Sequence, residues 1–105
     1  MGRFRISRLA EADLHNIGAY TLRIWGETQA DRYLAQLEDC CQRLADHPAL
    51  GRACDEIRSG LRRMEQGRHV VFYREEPDGI VISRILHQRM LPDKQDIDDK
   101  DLVPS

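Results

Sequence analysis

The stretch from Gly60 to Met90, GLRRMEQGRHVVFYREEPDGIVISRILHQRM, constrains the fold of this 105-residue chain more than any other. The runs HVVFYRE and IVISRILH are rich in β-branched and aromatic residues, as strands are. Between them stand Glu76, Pro77, Asp78 and Gly79. Proline pre-sets φ and glycine accepts a positive φ, so these residues close a hairpin. Both runs are apolar on two faces, Val70 and Phe72 against Val71, and Ile80, Ile82 and Leu86 against Val81 and Ile85. That pattern belongs to central strands of a covered sheet. Arg74 and Arg84 interrupt them, so each needs a carboxylate partner or lines a working surface.

The half before this stretch is helical. Residues 3–7, RFRIS, alternate charged and apolar as a short strand does, and Ser7 is placed to cap a helix. Ala10, Leu14, Ile17, Thr21 and Ile24 then trace one helical stripe, and Gly26 ends it in the left-handed position. Thr28, with Asp31 three residues on, opens a second helix with the stripe Ala30, Leu34, Leu37, Cys41 and Leu44, ending before Pro48. Helices over about 8–25 and 28–46, joined by about two residues, must lie antiparallel. Residues 48–59 read as a polar connector, followed by a strand at Leu61–Gln66 and a turn at Gly67. The fold class is therefore α+β: an N-terminal strand and an antiparallel helical hairpin packed on a mainly antiparallel sheet of three to four strands. Residues 1–92 make one domain, and residues 93–105 an acidic tail expected to be disordered.

With no apolar run near 18 residues and no signal-peptide core after Met1, the expected setting is the cytoplasm and not a membrane. Fourteen of the sixteen cationic residues are arginine, and both lysines, Lys94 and Lys100, lie in the tail with five of the aspartates. Arginine favours planar, bidentate contacts with carboxylate or phosphate. Cys40, Cys41 and Cys54 show neither zinc nor redox spacing, and His15, His47, His69 and His87 show no metal spacing. No metal site and no cofactor are expected.

From His47 onward, the segments HPALGR, DEIRSGLRRM, GRHVVFYRE and ISRILHQRM resemble, in that order, the ParE branch of the RelE/ParE toxin superfamily. The start, RISRLAEADL with its helical hairpin and the Trp25-Gly26 break, resembles it too, so the likeness spans roughly residues 3–90. The resemblance implies a small growth-inhibiting toxin of a type II toxin–antitoxin module, of the kind that stabilises plasmids. It implies a cognate ParD-like antitoxin as partner, a hetero-oligomer, and DNA contact made mainly through that antitoxin. ParE-type members inhibit DNA gyrase, whereas RelE-type members cut messenger RNA on the ribosome. A shared fold cannot choose between them; the site must.

RNA cleavage by 2′-hydroxyl attack needs a proton acceptor, a proton donor and cations for the pentavalent phosphate. Arg62, Arg63, Arg74 and Arg84 could hold phosphate, and His87 could shuttle a proton. Yet Gln88, Arg89 and Met90 come after His87 where many nucleolytic members carry a histidine and an aromatic hydroxyl, and no lysine precedes Lys94. Each candidate also has a plain structural role open to it. His87 can hydrogen-bond within the sheet, Tyr73 can be core, and Arg74 and Arg84 can pair with Glu65, Glu75 or the helices. Arg62 and Arg63 are adjacent in a strand and point to opposite faces, so they cannot share a patch. The expectation is a non-enzymatic gyrase inhibitor with no catalytic residues, binding its partners through Arg23, Arg32, Arg58, Arg74, Arg84 and Arg89. A ribosome-dependent endoribonuclease using Arg62, Arg84 and His87 is the alternative, and a non-toxic antitoxin-binding partner a third.

Overall fold

Five strands form one sheet in the order β1-β5-β4-β3-β2, and a helical hairpin packs on one face of it. The computed structural model describes residues 2–90; the expected tail at 93–105 lies outside them. The elements are β1 (Arg3–Ile6), α1 (Arg8–Trp25), α2 (Glu27–Asp46), a 3-10 turn (Pro48–Leu50), β2 (Arg52–Ala53), β3 (Leu61–Gln66), β4 (His69–Glu76) and β5 (Gly79–His87). All neighbours are antiparallel except β1, which runs parallel to the first half of β5, from Arg3 opposite Gly79 to Ile6 opposite Ile82. The sheet gains a strand over the expectation because the connector after α2 is not featureless. It adds β2, then turns Cys54 and Ile57 inward against Leu61, Val70, Phe72 and Leu86. Cys54 is fully buried there. This connector covers the sheet face that the helices leave open.

Ser7 ends β1 and starts α1 in one residue. Its backbone N–H donates to Ile82, its hydroxyl donates to the Ser83 carbonyl at 2.7 Å, and its Oγ accepts the Ala10 N–H at 3.0 Å. The helix cap is thereby bolted to the sheet. A single residue, Gly26, separates the helices, so α2 begins at Glu27 and Thr28 falls inside its first turn. Gly26 has φ 91° and ψ 172°, not the left-handed helical pair. One residue must both end α1 and reverse the chain, which takes an extended ψ with a positive φ that only glycine adopts readily.

The helix-side core joins Ala10, Ile17, Leu37, Cys41 and Leu44 to Val71, Tyr73, Ile80, Ile82 and Ile85. Simple alternation along β5 places Leu86 with Ile80 and Ile82, and the structure corrects this. The register slips between Phe72 and Tyr73, which face Arg84 and Ile82, so Ser83 is an extra residue. The bulge inverts the alternation, turning Ile85 toward the helices and Leu86 away. Along α1 the buried stripe stops at Thr21, and Ile24 is 51% exposed.

Tyr73 is buried, as an ordinary core residue would be, and its hydroxyl fixes the connector. It donates to the Pro48 carbonyl at 2.7 Å and accepts the Gly51 N–H at 2.8 Å. Arg62 closes the same turn by donating to the Gly51 carbonyl at 2.7 Å. Tyr73→Phe keeps the ring but strands two backbone groups, and is expected to lower stability by about 1–3 kcal/mol. Urea unfolding should show a lower midpoint with an unchanged slope.

Candidate functional site

A groove of about 750 Å³ opens between the hairpin and the sheet, walled by the end of α1, the start of α2, the β3–β4 turn and the end of β5. It exists because β1 stops at Ile6 while β5 runs on to His87, so the second half of β5 has α1 rather than a strand beside it. One carboxylate manages that junction. Asp13 accepts the Ile85 N–H at 2.9 Å and grips the Arg84 guanidinium twice, at 2.8 Å to Nε and 2.9 Å to the terminal nitrogen. Their side chains are 13% and 14% exposed, so the pair is largely sheltered from water. A bidentate, half-dehydrated pair of this kind is stronger than an exposed one and positions both partners.

The far wall is built on Tyr33 of α2. The β3–β4 turn at Gly67 has φ 59°, and a β-carbon there would lie 2.7 Å from the Tyr33 ring. Only glycine lets the turn close on the tyrosine. The Tyr33 oxygen accepts the Arg68 N–H at 3.2 Å and lies 3.1 Å from the Gln66 carbonyl and 2.6 Å from His69 Nδ1. Its burial pushes the phenol upward in pKa, so it acts as a neutral hydroxyl. His69 pairs across the strands with His87, their ring centroids 5.5 Å apart at 84°. Burial lowers the His69 imidazole from its ordinary 6.5, the charge of His87 adds to this, and Asp13 opposes it. The result is a Tyr33–His69–His87 row facing a groove that Ile17, Tyr20, Trp25 and Met90 make apolar.

The structure divides the arginines that the sequence grouped. Arg84 lies in the groove but is committed to Asp13, so it serves as a clamp between α1 and β5. Arg23 sits over the ring of Tyr20, with 5.7 Å to its centroid, on the groove's rim. Arg89 lies just past β5, its N–H donating to His87 Nδ1 at 3.2 Å. Arg32 is exposed on α2 and does not line the groove. Arg58 belongs to the β2–β3 connector, and Arg74 stands opposite Leu61 and Val81. Of the alternative catalytic set, the groove unites Arg84 and His87, while Arg62 holds Gly51 elsewhere. Arg62 and Arg63 do point apart, Arg63 lying over the Phe72 ring with 5.6 Å to its centroid. Asp13, Tyr33, Arg68 and His69 escaped the sequence reading as site residues. A carboxylate beside an apolar helical stripe was the available signal for Asp13. Among the described residues, no group of three or more His, Cys, Asp or Glu is placed to hold a metal ion, and no helix is long and apolar enough to cross a membrane.

Residues 4–92 match the family model described as the ParE toxin of the type II toxin–antitoxin system parDE. The chain is 43% identical over 93 residues to Toxin ParE1 of Mycobacterium tuberculosis, covering 88% of this chain and 95% of that protein. It is 41% identical over 90 residues to Toxin ParE1 of Caulobacter vibrioides, covering 86% and 93%. Against Toxin ParE of Escherichia coli the identity is 37% over 92 residues, covering 86% and 88%. A solved structure described as a chromosomal ParDE system from P. aeruginosa has the same fold, with a TM-score of 0.69 at 21% identity, covering 83% of this chain and 96% of that one.

The groove's geometry makes two outcomes expected. Asp13→Ala leaves a sheltered guanidinium and an edge N–H without their acceptor, and should cost roughly 3 kcal/mol. The double change Asp13→Leu with Arg84→Met should recover part of that loss in urea unfolding. His69, with its pKa depressed on folding, binds a proton more readily in the unfolded chain. Stability should therefore fall as pH drops through about 6.5 toward the folded value, and stay higher above it. His69→Gln should flatten that slope when unfolding midpoints are compared at successive pH values.

Proposed function

The chain belongs to the ParE toxin family of type II toxin–antitoxin systems, and we propose that it inhibits DNA gyrase in the cytoplasm and is neutralised by a ParD-like, DNA-binding antitoxin. The observation that carries the inhibitor reading is the Asp13–Arg84 pair. Cleaving a phosphodiester takes a cation that can swing onto the pentavalent phosphate, and the groove's most central guanidinium is already held at both ends by a carboxylate. A rigid, apolar groove with cations at its rim is suited to binding one conformation of a protein partner. The toxin domain is residues 1–92, and the antitoxin pairs with it in a hetero-oligomer that meets DNA mainly through the antitoxin. An amphipathic antitoxin segment suits the groove, with its apolar face against Tyr20 and Trp25 and its acidic side toward Arg23, Arg68 and Arg89. Of the other expected partner-binding residues, Arg84 lies within the groove, committed to Asp13, while Arg32, Arg58 and Arg74 do not line it.

The Tyr33–His69–His87 row favours a second reading, a ribosome-dependent endoribonuclease. Two imidazoles side by side could divide the acid and base roles, with Arg68 near the phosphate.

The two readings separate in one experiment. The purified chain is expected to accumulate cleaved, gyrase-linked DNA in a supercoiling reaction and to leave in vitro translation unaffected. Arg89→Ala should weaken inhibition in a graded, salt-sensitive way, as a lost charged contact does, and His87→Ala only modestly. Ribosome-dependent cuts in messenger RNA, abolished by about a thousandfold in His87→Ala, would reverse the choice.

A further inference from the structure

Charge is divided between the two layers of the fold. The helical hairpin, residues 8–46, carries seven acids and four arginines, a net −3. Residues 3–6 and 47–90, which supply the sheet and its connectors, carry ten arginines and six acids, a net +4.

The register gathers five of those arginines on the sheet face turned away from the helices. Phe4 and Ile6 pack toward the helices, so Arg3 and Arg5, which alternate with them, point the other way. Arg5 is paired with Val81, Val81 with Arg74, and Arg74 with Leu61, which belongs to the cluster beneath the connector. Residues paired across strands share a face. Arg63 lies over Phe72 of that same cluster, and Arg52 is paired with Arg63. Every strand except β5 thus gives this face at least one arginine. Two carboxylates answer them. Glu76 holds Arg5, and Glu65 is shared by Arg52 at 3.1 Å and Arg63 at 3.2 Å. Five guanidiniums against two carboxylates leave a net positive band, and its two ends are open: Arg3 is exposed, and the Arg52 side chain is 68% exposed.

The aromatic residues narrow what such a band can hold. Single-stranded nucleic acid is gripped by rings on which its bases stack. Here Phe72 is buried beneath Arg63, Phe4 and Tyr73 pack toward the helices, and Tyr20, Trp25 and Tyr33 line the groove. Among the described residues no ring is open on this face. Arginines without rings suit phosphates that a regular duplex already presents in order. The band crosses the whole sheet, about 19 Å at roughly 4.8 Å for each strand step. Phosphates recur about every 3.4 Å along the axis on each strand of DNA, so several meet it at once.

We propose that this face binds the phosphate backbone of duplex DNA without reading its sequence, with Arg3 and Arg52 at the ends of the band and Arg5, Arg63 and Arg74 between them. The contact is additional to any made through an antitoxin, and it does not depend on gyrase being the target.

The test is a fluorescence-anisotropy titration of a labelled DNA duplex of arbitrary sequence with the full-length chain, without gyrase. Half-saturation is expected at about 10 μM near physiological salt, with log K falling against log salt at a slope of about −3. Arg3→Gln with Arg52→Gln, both at exposed positions, should weaken binding about tenfold and bring the slope to about −1. Ala35→Glu with Gln36→Glu lowers the net charge equally at exposed positions of α2 and should change binding by no more than about twofold, since salt screens distant charges. Far-UV circular dichroism checks that both variants are folded. Equal weakening by the two pairs would overturn the proposal, because overall charge alone would then explain the binding. Absence of saturable binding to the duplex would overturn it too. Tighter binding to single-stranded RNA of the same length, or equal binding to polyglutamate, would also overturn it, assigning the face to RNA or to an acidic protein instead.

Discussion

The geometry around the groove depends on one carboxylate. Where β1 ends, β5 still presents backbone donors on that edge, and Asp13 reaches across from α1 to satisfy one of them while binding the neighbouring arginine. The residues joined are seventy-one and seventy-two positions apart. This contact replaces a strand with a helix at the sheet edge and fixes how far α1 stands from β5. The groove's width depends on it, as does the placement of the two histidines that continue β5 and β4 beyond the clamp. A second set of polar contacts, from Tyr73 and Arg62 to the turn at Pro48–Gly51, does the same for the opposite sheet face.

Much of this was legible in the sequence, because local chemistry and global fold agree over most of the chain. The hairpin at Glu76–Gly79, the Ser7 cap and the two helices form where their residues place them, although the α1 stripe ends one turn early, at Thr21. The parts that were not legible have identifiable causes. A bulge at Ser83 adds one residue to one strand, and period-2 reasoning has no means to detect it beforehand, so Ile85 and Leu86 exchanged faces. The connector after α2 looked polar because the side chains it turns into the core are Cys54 and Ile57, too few to make a pattern.

The site was less legible than the fold, and for a different reason. Arginine is informative about charge but not about engagement. Arg84 and Arg89 lie five residues apart, yet one is clamped by Asp13 and the other sits past the end of the strand. No spacing rule relates residue 13 to residue 84. The Tyr33–His69 contact likewise joins elements thirty-six positions apart, and its partners are ordinary residue types singly. A fold does not by itself fix function; the side chains that such long-range meetings bring together do.

The parallel pairing of β1 with β5 has a kinetic consequence. Arg3 emerges first in synthesis, but its partner Gly79 arrives only after seventy-five intervening residues. The α1–α2 hairpin is local and quick to form, while the strand that completes the sheet must close a loop of that length. Until β5 arrives, the stripe from Ala10 to Thr21 lacks Ile80, Ile82 and Ile85 as partners, and Asp13 has neither Arg84 nor the Ile85 N–H to hold. A chain interrupted in translation before Gly79 thus carries both helices and no groove. The groove therefore comes into being late, after the ribosome has read almost the whole described body.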